Sequence, residues 1–256
     1  MSTIKVGIIC PVRNCLKYTQ MTIDSIKTKH KFNIYVIDDH SDDGTKEWLE
    51  TQTFKHWSDI PESTGLSYNW NYGIKEALKD KCTHFLIINN DVLLHPQTID
   101  KLVERLDRGD VVMATCVNVQ GLCQTPEAIF TLPVTEESES EHPDFSGFMI
   151  NKKTLDVIGY FDETFAGCYY EDNDYHARIV LSGNKAISYN LAPFYHFASR
   201  TLAEGGVNEI IHASFARNQQ HFQQKWGSGV VSDVPQMLQS YWKHPYNDIT
   251  KGVKEW

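Results

Sequence analysis

Short apolar runs in the N-terminal half of the chain each stop on a polar cluster, and this pattern restricts the possible folds. Val6-Gly7-Ile8-Ile9-Cys10 runs into Pro11-Val12-Arg13-Asn14, Asn33-Ile34-Tyr35-Val36-Ile37 into Asp38-Asp39, and Phe85-Leu86-Ile87-Ile88 into Asn89-Asn90-Asp91. An unbroken apolar run of this length reads as a strand covered on both faces, as in parallel sheets. Helical segments separate the runs: Tyr18 to Lys29, with Met21, Ile23 and Ile26 facing inward, then Thr45 to Glu50 and Ser67 to Lys79. Pro96 to Leu106 is a further helix, leading to a strand at Val111-Val112-Met113-Ala114. Strands alternating with helices of about 10–15 residues imply βαβ units, hence an α/β fold with a mostly parallel central sheet flanked by helices. Ligands of such sheets bind beyond the carboxyl ends of the strands. The polar clusters therefore converge on one candidate site.

The second half is less regular. Phe145 to Ile150 reads as a strand, Asn151 to Ile158 as a short helix, and Glu171 to Leu181 as a helix with a carboxylate-dense start. Ala186 to Tyr189 reads as one strand, Phe194-Tyr195-His196 as the end of another, and Glu209 to Trp226 as a long helix. Thr135 to Glu141 is acidic and serine-rich, a solvated excursion in the simple reading and a flap over the site in the sharper one. The tail carries Tyr241, Trp242, Tyr246 and Trp256. Core or interface packing, as in a homodimer, is the expectation for these rings, and stacking on a sugar or base is the alternative.

Composition narrows the class. In 256 residues, 24 Lys and Arg face 33 Asp and Glu, a net charge of −9, which argues against gripping nucleic acid through its phosphates. The basic stretch Lys27-Thr28-Lys29-His30-Lys31 reads as a solvated helix end. The 6 cysteines include no C-x-x-C pair and read as reduced, mostly buried thiols of a cytosolic protein. No apolar run reaches the roughly 18 residues needed to span a membrane, and the N-terminus lacks a signal-peptide pattern.

Individual residues carry chemistry. Asp39-x-Ser41-x-Asp43-Gly44 with Glu50 mimics a calcium loop in spacing. A strand precedes it and Lys46 takes an inward position, so that reading is rejected, and Asp42 and Asp43 are assigned to capping the next helix. Asp38 and Asp39 leave their strand where a carboxylate can accept from a base N–H or a ribose hydroxyl. A carboxylate at the tip of a buried strand, as at Asp91, is costly unless it meets a cation. Mg²⁺ and Mn²⁺ accept one or two carboxylates plus substrate phosphates. In Tyr170-Glu171-Asp172-Asn173-Asp174, the acids favour the helix dipole, and Asp174 pairs with Arg178 at i,i+4. Glu171 and Asp172 are adjacent and are not expected to point the same way; the one facing a cleft is a natural general base. His196 reads as a core residue unless it meets Asp91. H-E-x-x-H, G-x-S-x-G and G-x-x-x-x-G-K-[ST] are absent.

Taken in order, these segments resemble family 2 glycosyltransferases. Val36 to Thr45 is similar to the family's nucleotide-binding strand end. Ser63-Thr64-Gly65-Leu66-Ser67-Tyr68-Asn69-Trp70-Asn71-Tyr72-Gly73 resembles its N-x-G-F-x-x-x-x-N-x-G segment, with Ser63 in place of Asn. Ile87-Ile88-Asn89-Asn90-Asp91-Val92 resembles its D-x-D element in the variant acidic only at the last position. Ser146 to Ile150, Gly159 to Glu163, and Glu171 to Asp174 with Arg178 resemble its acceptor half. Order and spacing hold from about Val6 to about His196.

The resemblance implies a GT-A fold, Rossmann-like, with a short helical and aromatic C-terminal tail. It also implies a nucleotide-sugar donor (UDP by family habit), a divalent metal, Mn²⁺ or Mg²⁺, and inversion at the anomeric carbon. By position, Asp39 would meet the base and Asp38 the ribose. Pro11, Arg13, Gly65 and Asn71 would line the nucleotide-sugar pocket, with Asn89 and Asn90 near donor sugar or ribose. Asp91 and His196 would hold the metal, Asp172 would be the catalytic base, and Glu171 would hold the acceptor. The Q-x-x-R-W motif of processive members is absent, so a single transfer is expected. Residues 1–115 would then form the nucleotide-sugar half, 116–212 the acceptor half, and 213–256 a helix and tail. A saccharide or glycoconjugate is the expected acceptor, with a modified nucleic-acid base also open. A sugar-1-phosphate nucleotidyltransferase would need a glycine-rich loop where Pro11-Val12-Arg13-Asn14 stands. A non-catalytic nucleotide- or sugar-binding module would need no aligned base.

Overall fold

The computed structural model describes residues 3–57, 65–198, 200 and 208–227. Ser63, Thr64 and the aromatic tail lie outside the described residues. The centre is one sheet: β1 (Lys5–Val12), β2 (Lys31–Asp38), β3 (Lys55–Trp57), β4 (His84–Ile88), β5 (Val92–Leu94), β6 (Met113–Asn118), β7 (Glu139–Ser140), β8 (Gly147–Asn151) and β9 (Ala186–His196). The strands lie in the order β3-β2-β1-β4-β8-β6-β9-β5, with β7 added on β9. Helices α1 (Leu16–Asp24), α2 (Thr45–Leu49), α3 (Leu66–Lys79), α4 (Thr98–Leu106), α5 (Lys152–Ile158), α6 (Glu171–Leu181) and α7 (Asn208–Trp226) flank it. Among the described residues, no helix is long and apolar enough to cross a membrane.

The parallel expectation holds for β3, β2, β1 and β4. Beyond them the sheet is mixed. Strand β8 runs antiparallel to both β4 and β6, whereas β9 is parallel to β6 and antiparallel to β5 and β7. Only two 3₁₀ turns, Gln120–Leu122 and Pro126–Thr131, lie between β6 and the β7–β8 segment. Without a crossover helix the chain returns in the opposite sense. The two strands expected near Ala186 and Phe194 are one. Between them the register against β6 shifts, and just before the shift Ser188 and Tyr189 pair with β7.

The acidic loop is fastened at that edge. Arg105 pairs with Glu139 at 2.5 Å, Arg108 with Glu137 at 2.5 Å, and Ser138 N–H donates to Asn190 at 2.6 Å. Helix α1 also ends sooner than its apolar spacing suggests. Thr22 and Ser25 turn their hydroxyls to the β5 backbone, and Thr28 and the Lys29 amide bind Asp100. The basic stretch is therefore a loop opening β2 rather than a helix end. All 6 cysteines are free thiols.

Alternation along the strands splits the core in two. Val6, Ile8 and Cys10 face the layer of α1 and α4, with Leu102 and Leu106; Ile9 and Phe85 face the layer holding Trp70, Ile74 and Phe148. Helix α3 lies so close that a Cβ on Gly73 would sit 2.5 Å from Ile9 Cγ2. A third cluster joins α7 to α6 through Phe165, Tyr170, Phe222 and Trp226.

Buried charge reinforces that last contact. Lys225 Nζ lies 2.6 Å from Asp162 Oδ2 and 2.8 Å from Asp174 Oδ1. Asp174 also pairs with Arg178 at 3.0 Å, as the spacing predicted, and accepts from Trp226 Nε1 at 2.9 Å. Burial pushes the Asp162 carboxyl up in pKa, but hydrogen bonding from His221 and the Lys225 charge outweigh it and hold it well below its ordinary value. A depressed folded-state pKa contributes stability that is complete above the unfolded value of about 4 and is lost as the pH falls below it. Removing one partner strands buried charge, so Lys225→Met is expected to cost about 3–5 kcal/mol at neutral pH. It should also flatten the acid loss of stability below about pH 4. Urea unfolding across pH checks both.

Candidate active site

A cleft of about 570 Å³ opens beyond the carboxyl ends of β1 and β4. Pro11, Arg13, Asp39, Gly65, Asn89, Asn90, Asp91, Glu171, Asp172 and His196 all line it. Of the residues singled out in the sequence, Asp38 and Asn71 do not.

The β1 and β2 ends are knitted together. Asp39 N–H donates to Val12 O at 2.8 Å, Asn14 N–H to Ser41 Oγ at 2.7 Å, and Asp42 N–H to Asn14 Oδ1 at 2.8 Å. Asp43 accepts from Leu16 N–H at 2.8 Å and from Thr45, tying the starts of α1 and α2. Asp43 thus steadies the first turn of α2 from outside its N-cap, Gly44, which carries no side-chain cap, and Asp42 gives its own N–H to Asn14 rather than capping the helix as expected. Asp39 reaches the cleft wall, whereas Asp38 is buried and accepts from Ser41 N–H at 3.1 Å. Burial raises the Asp38 pKa. Asn71 binds the Phe161 backbone on both sides, at 2.9 Å each, and Glu163 at 2.9 Å. It holds the Gly159–Glu163 turn rather than facing the cleft.

Strand pairing creates the Asp91–His196 contact. Val92 stands opposite His196 where β5 meets β9, and His196 Nε2 comes 3.1 Å from Asp91 Oδ1. The company of Asp91 takes His196 out of the core reading. Asn89 N–H donates to Ser146 O at 2.9 Å, and Asn90 turns its amide to Asn14 O and Thr19 Oγ1 at 3.1 and 3.0 Å. Among the described residues no group of three His, Cys, Asp or Glu side chains gathers as a metal centre. One carboxylate beside one imidazole suits a hard divalent cation that takes its other oxygens from phosphate and water. The donor set therefore fits Mg²⁺ or Mn²⁺.

Helix α6 meets the cleft with its first turn. Tyr169 and Tyr170 both have positive φ, 75° and 72°, and turn the chain sharply into the helix. Glu171 and Asp172 consequently share the cleft wall, contrary to the expectation that only one would. Burial raises the pKa of Asp172, and the nearby Asp144 carboxylate adds to this. Burial, then the Asp172 charge, pushes Glu171 well up.

The sequence reading missed several contributors. Asp144, Trp70, Gly167, Tyr169 and Ser214 also line the cleft. Gly65 and Gly167 press backbone to backbone: Leu66 N–H donates to Gly167 O at 2.8 Å, and a Cβ on Gly65 would collide with the Gly167 main chain. Asn218 of α7 is buried and donates to Ala166 O, Cys168 O and Tyr169 O at 3.1, 3.1 and 2.9 Å. Arg217 also bonds Ala166 O. One asparagine thus braces the loop that delivers the α6 carboxylates. No local motif marks it, because its partners are main-chain oxygens far away in sequence.

Comparison with known proteins bears on the family and the fold. The galactofuranosyl glycosyltransferase of Leishmania donovani is 25% identical over 222 residues, covering 70% of this chain and 51% of that protein. The chain thus spans about half the length of this curated relative. Among solved structures, GalNAc-T7 with UDP, GalNAc and Mn²⁺ superimposes with a TM-score of 0.59 at 13% identity, over 76% of this chain and 44% of the other. Staphylococcus aureus TarS 1–349 gives 0.56 at 17% identity, over 98% and 76%. The mannosyltransferase PcManGT from Pyrobaculum calidifontis, in complex with GDP-Man and Mn²⁺, gives 0.54 at 18%, over 73% and 55%. At these identities the likeness is one of fold, the GT-A architecture. The family model described as glycosyl transferase family 2 matches residues 7–170, from β1 to the threshold of α6, and the chain belongs to that family.

Proposed function

We propose that this chain transfers one sugar from a nucleotide-sugar, with UDP the expected nucleotide, to an acceptor hydroxyl with inversion at the anomeric carbon. The observation that carries the reading is the convergence of Asp39, the Asp91–His196 pair and the Glu171–Asp172 pair on one cleft. A nucleotide, a pyrophosphate and an attacking hydroxyl each require one of these groups. In this reading the nucleotide-sugar half is 1–115, the acceptor half is 116–212, which includes the first residues of α7, and the region from 213 on holds the rest of α7 and the tail.

Asp39 accepts hydrogen bonds from the nucleoside, and the β1 end, with Arg13, walls the pocket. Asp91 and His196 would hold the cation, which when bound neutralises the charge that builds on the leaving nucleoside diphosphate. Asp172 accepts the proton of the acceptor hydroxyl as that oxygen attacks from the face opposite the leaving group. Its raised pKa moves it towards the operating pH, where a base works best. Glu171, kept neutral longer by burial and by its charged neighbour, can donate a hydrogen bond to the acceptor.

Release of UDP from UDP-sugars, coupled to acceptor screening, tests the reading as a whole. Asp172→Asn is expected to lower turnover by about 10²–10⁴-fold while calorimetry shows UDP affinity retained; equal loss of both would give Asp172 a structural role. Since the base acts when deprotonated, turnover should fall on acidification, with an acid limb above the ordinary carboxylate value of about 4. A limb at or below that value would contradict the buried base. Asp91→Ala should abolish the gain in UDP affinity that Mn²⁺ brings to the wild-type protein. An unchanged metal effect in titration calorimetry would remove Asp91 from the cation site.

A further inference from the structure

Tyr169 lines the cleft, and its ring meets that of Phe215 on α7, next in sequence to the cleft-lining Ser214, to form an aromatic ledge. Their ring centroids lie 5.4 Å apart, nearly edge to face at 73°. Tyr169 is 37% exposed and lines the cleft; Phe215, on α7, is 42% exposed. The ledge continues inward through Tyr170, 5.4 Å from Phe215, to buried Phe222, 5.4 Å from Tyr170.

This exposure is built rather than incidental. Tyr169 is held at a φ of 75°, a conformation that costs a non-glycine residue free energy and marks functional positions when the surroundings enforce it. Asn218 does so here, binding the Tyr169 carbonyl at 2.9 Å. Two residues on from Tyr169 begin the carboxylates Glu171 and Asp172. Relaxing the strain would turn the Tyr169 ring away from the cleft mouth and Asp172 with it.

The chemistry of the neighbourhood selects the occupant. Asp144, Glu171 and Asp172 share this end of the cleft and repel a phosphate or carboxylate on the group bearing the attacking hydroxyl. An exposed aromatic face beside carboxylates suits a molecule that is apolar on one face and ringed by hydroxyls, and a neutral sugar ring has that character. Resting on the glycosyltransferase reading, we propose that Tyr169 and Phe215 are an acceptor subsite that stacks a neutral sugar ring and presents one of its hydroxyls to Asp172.

Saturation-transfer NMR on the full chain with UDP and Mn²⁺ tests this, using the methyl pyranosides of glucose, galactose, mannose and N-acetylglucosamine, plus glucose 6-phosphate. At least one neutral glycoside should receive saturation concentrated on the protons of one ring face, and the phosphorylated sugar should receive none. Phe215→Ala and Tyr169→Ala should each weaken that glycoside about tenfold, the size of an aromatic contact, with UDP affinity retained in Phe215→Ala. Silence of every neutral glycoside overturns the subsite, as does saturation indifferent to both substitutions or a preference for the phosphorylated sugar. Silence accompanied by a dimer that Phe215→Ala dissociates would reassign the ledge to self-association. Failure of the wild-type chain to bind UDP would instead sink the glycosyltransferase reading, whatever the glycosides do.

Discussion

The contact on which the cleft depends is main chain against main chain. Gly65 at the start of α3 and Gly167 in the loop before α6 approach so closely that a Cβ on Gly65 would overlap the Gly167 main chain, while a Cβ on Gly167 would run into the Ser214 side chain of α7. Both have positive φ, 85° and 80°, so glycine serves the conformation as well as the clearance. About a hundred residues of chain, including β4 to β8, separate the two. Their meeting joins the parallel side of the sheet to the loop that carries Glu171 and Asp172. Everything proposed about the chemistry presupposes that this seam holds.

Across the seam the cleft is electrically uneven. Arg13 stands at the β1 end, whereas Asp144, Glu171 and Asp172 crowd the opposite wall. Burial and mutual repulsion on that wall raise the pKa of both α6 carboxylates. By contrast, the buried acids behind it, Asp162 and Asp174, are matched by Lys225 and Arg178. Among the described residues, the two groups of carboxylates differ in whether a lysine or arginine pairs with them. The paired acids hold α7 in place; Asp144, Glu171 and Asp172 face the cleft.

The strand-end clusters were legible because a buried parallel strand leaves a plain mark, apolar residues in succession and then polar ones. Asp39 and Asp91 stand where that logic put them, and the first turn of α6 was marked separately by its run of carboxylates. Asn71 and Asp38 belong to the same motifs yet serve the backbone of neighbouring turns, since an amide or carboxylate one residue along faces another way. Strands β3, β5 and β7 are too short to show any periodicity, and the antiparallel placement of β8 depends on a connection whose path has no local signature. Asp144 and Asn218 were invisible for a related reason. Their positions follow from how the loop before β8 and helix α7 settle on the rest, a property of tertiary packing and not of spacing.

Helix α7 lies beyond the segment that defines the family, yet Ser214 forms part of the cleft wall and Asn218 fixes the turn into α6. Chains fold from the N-terminus as they leave the ribosome, at about 5–20 residues per second. The sheet and its strand-end loops can therefore assemble while the brace is still unmade. For some seconds of each molecule's birth the tyrosine turn has nothing to hold its strained backbone, and the acids it aims have no settled direction. The nascent chain would have its strand-end loops in place before the two α6 carboxylates had settled.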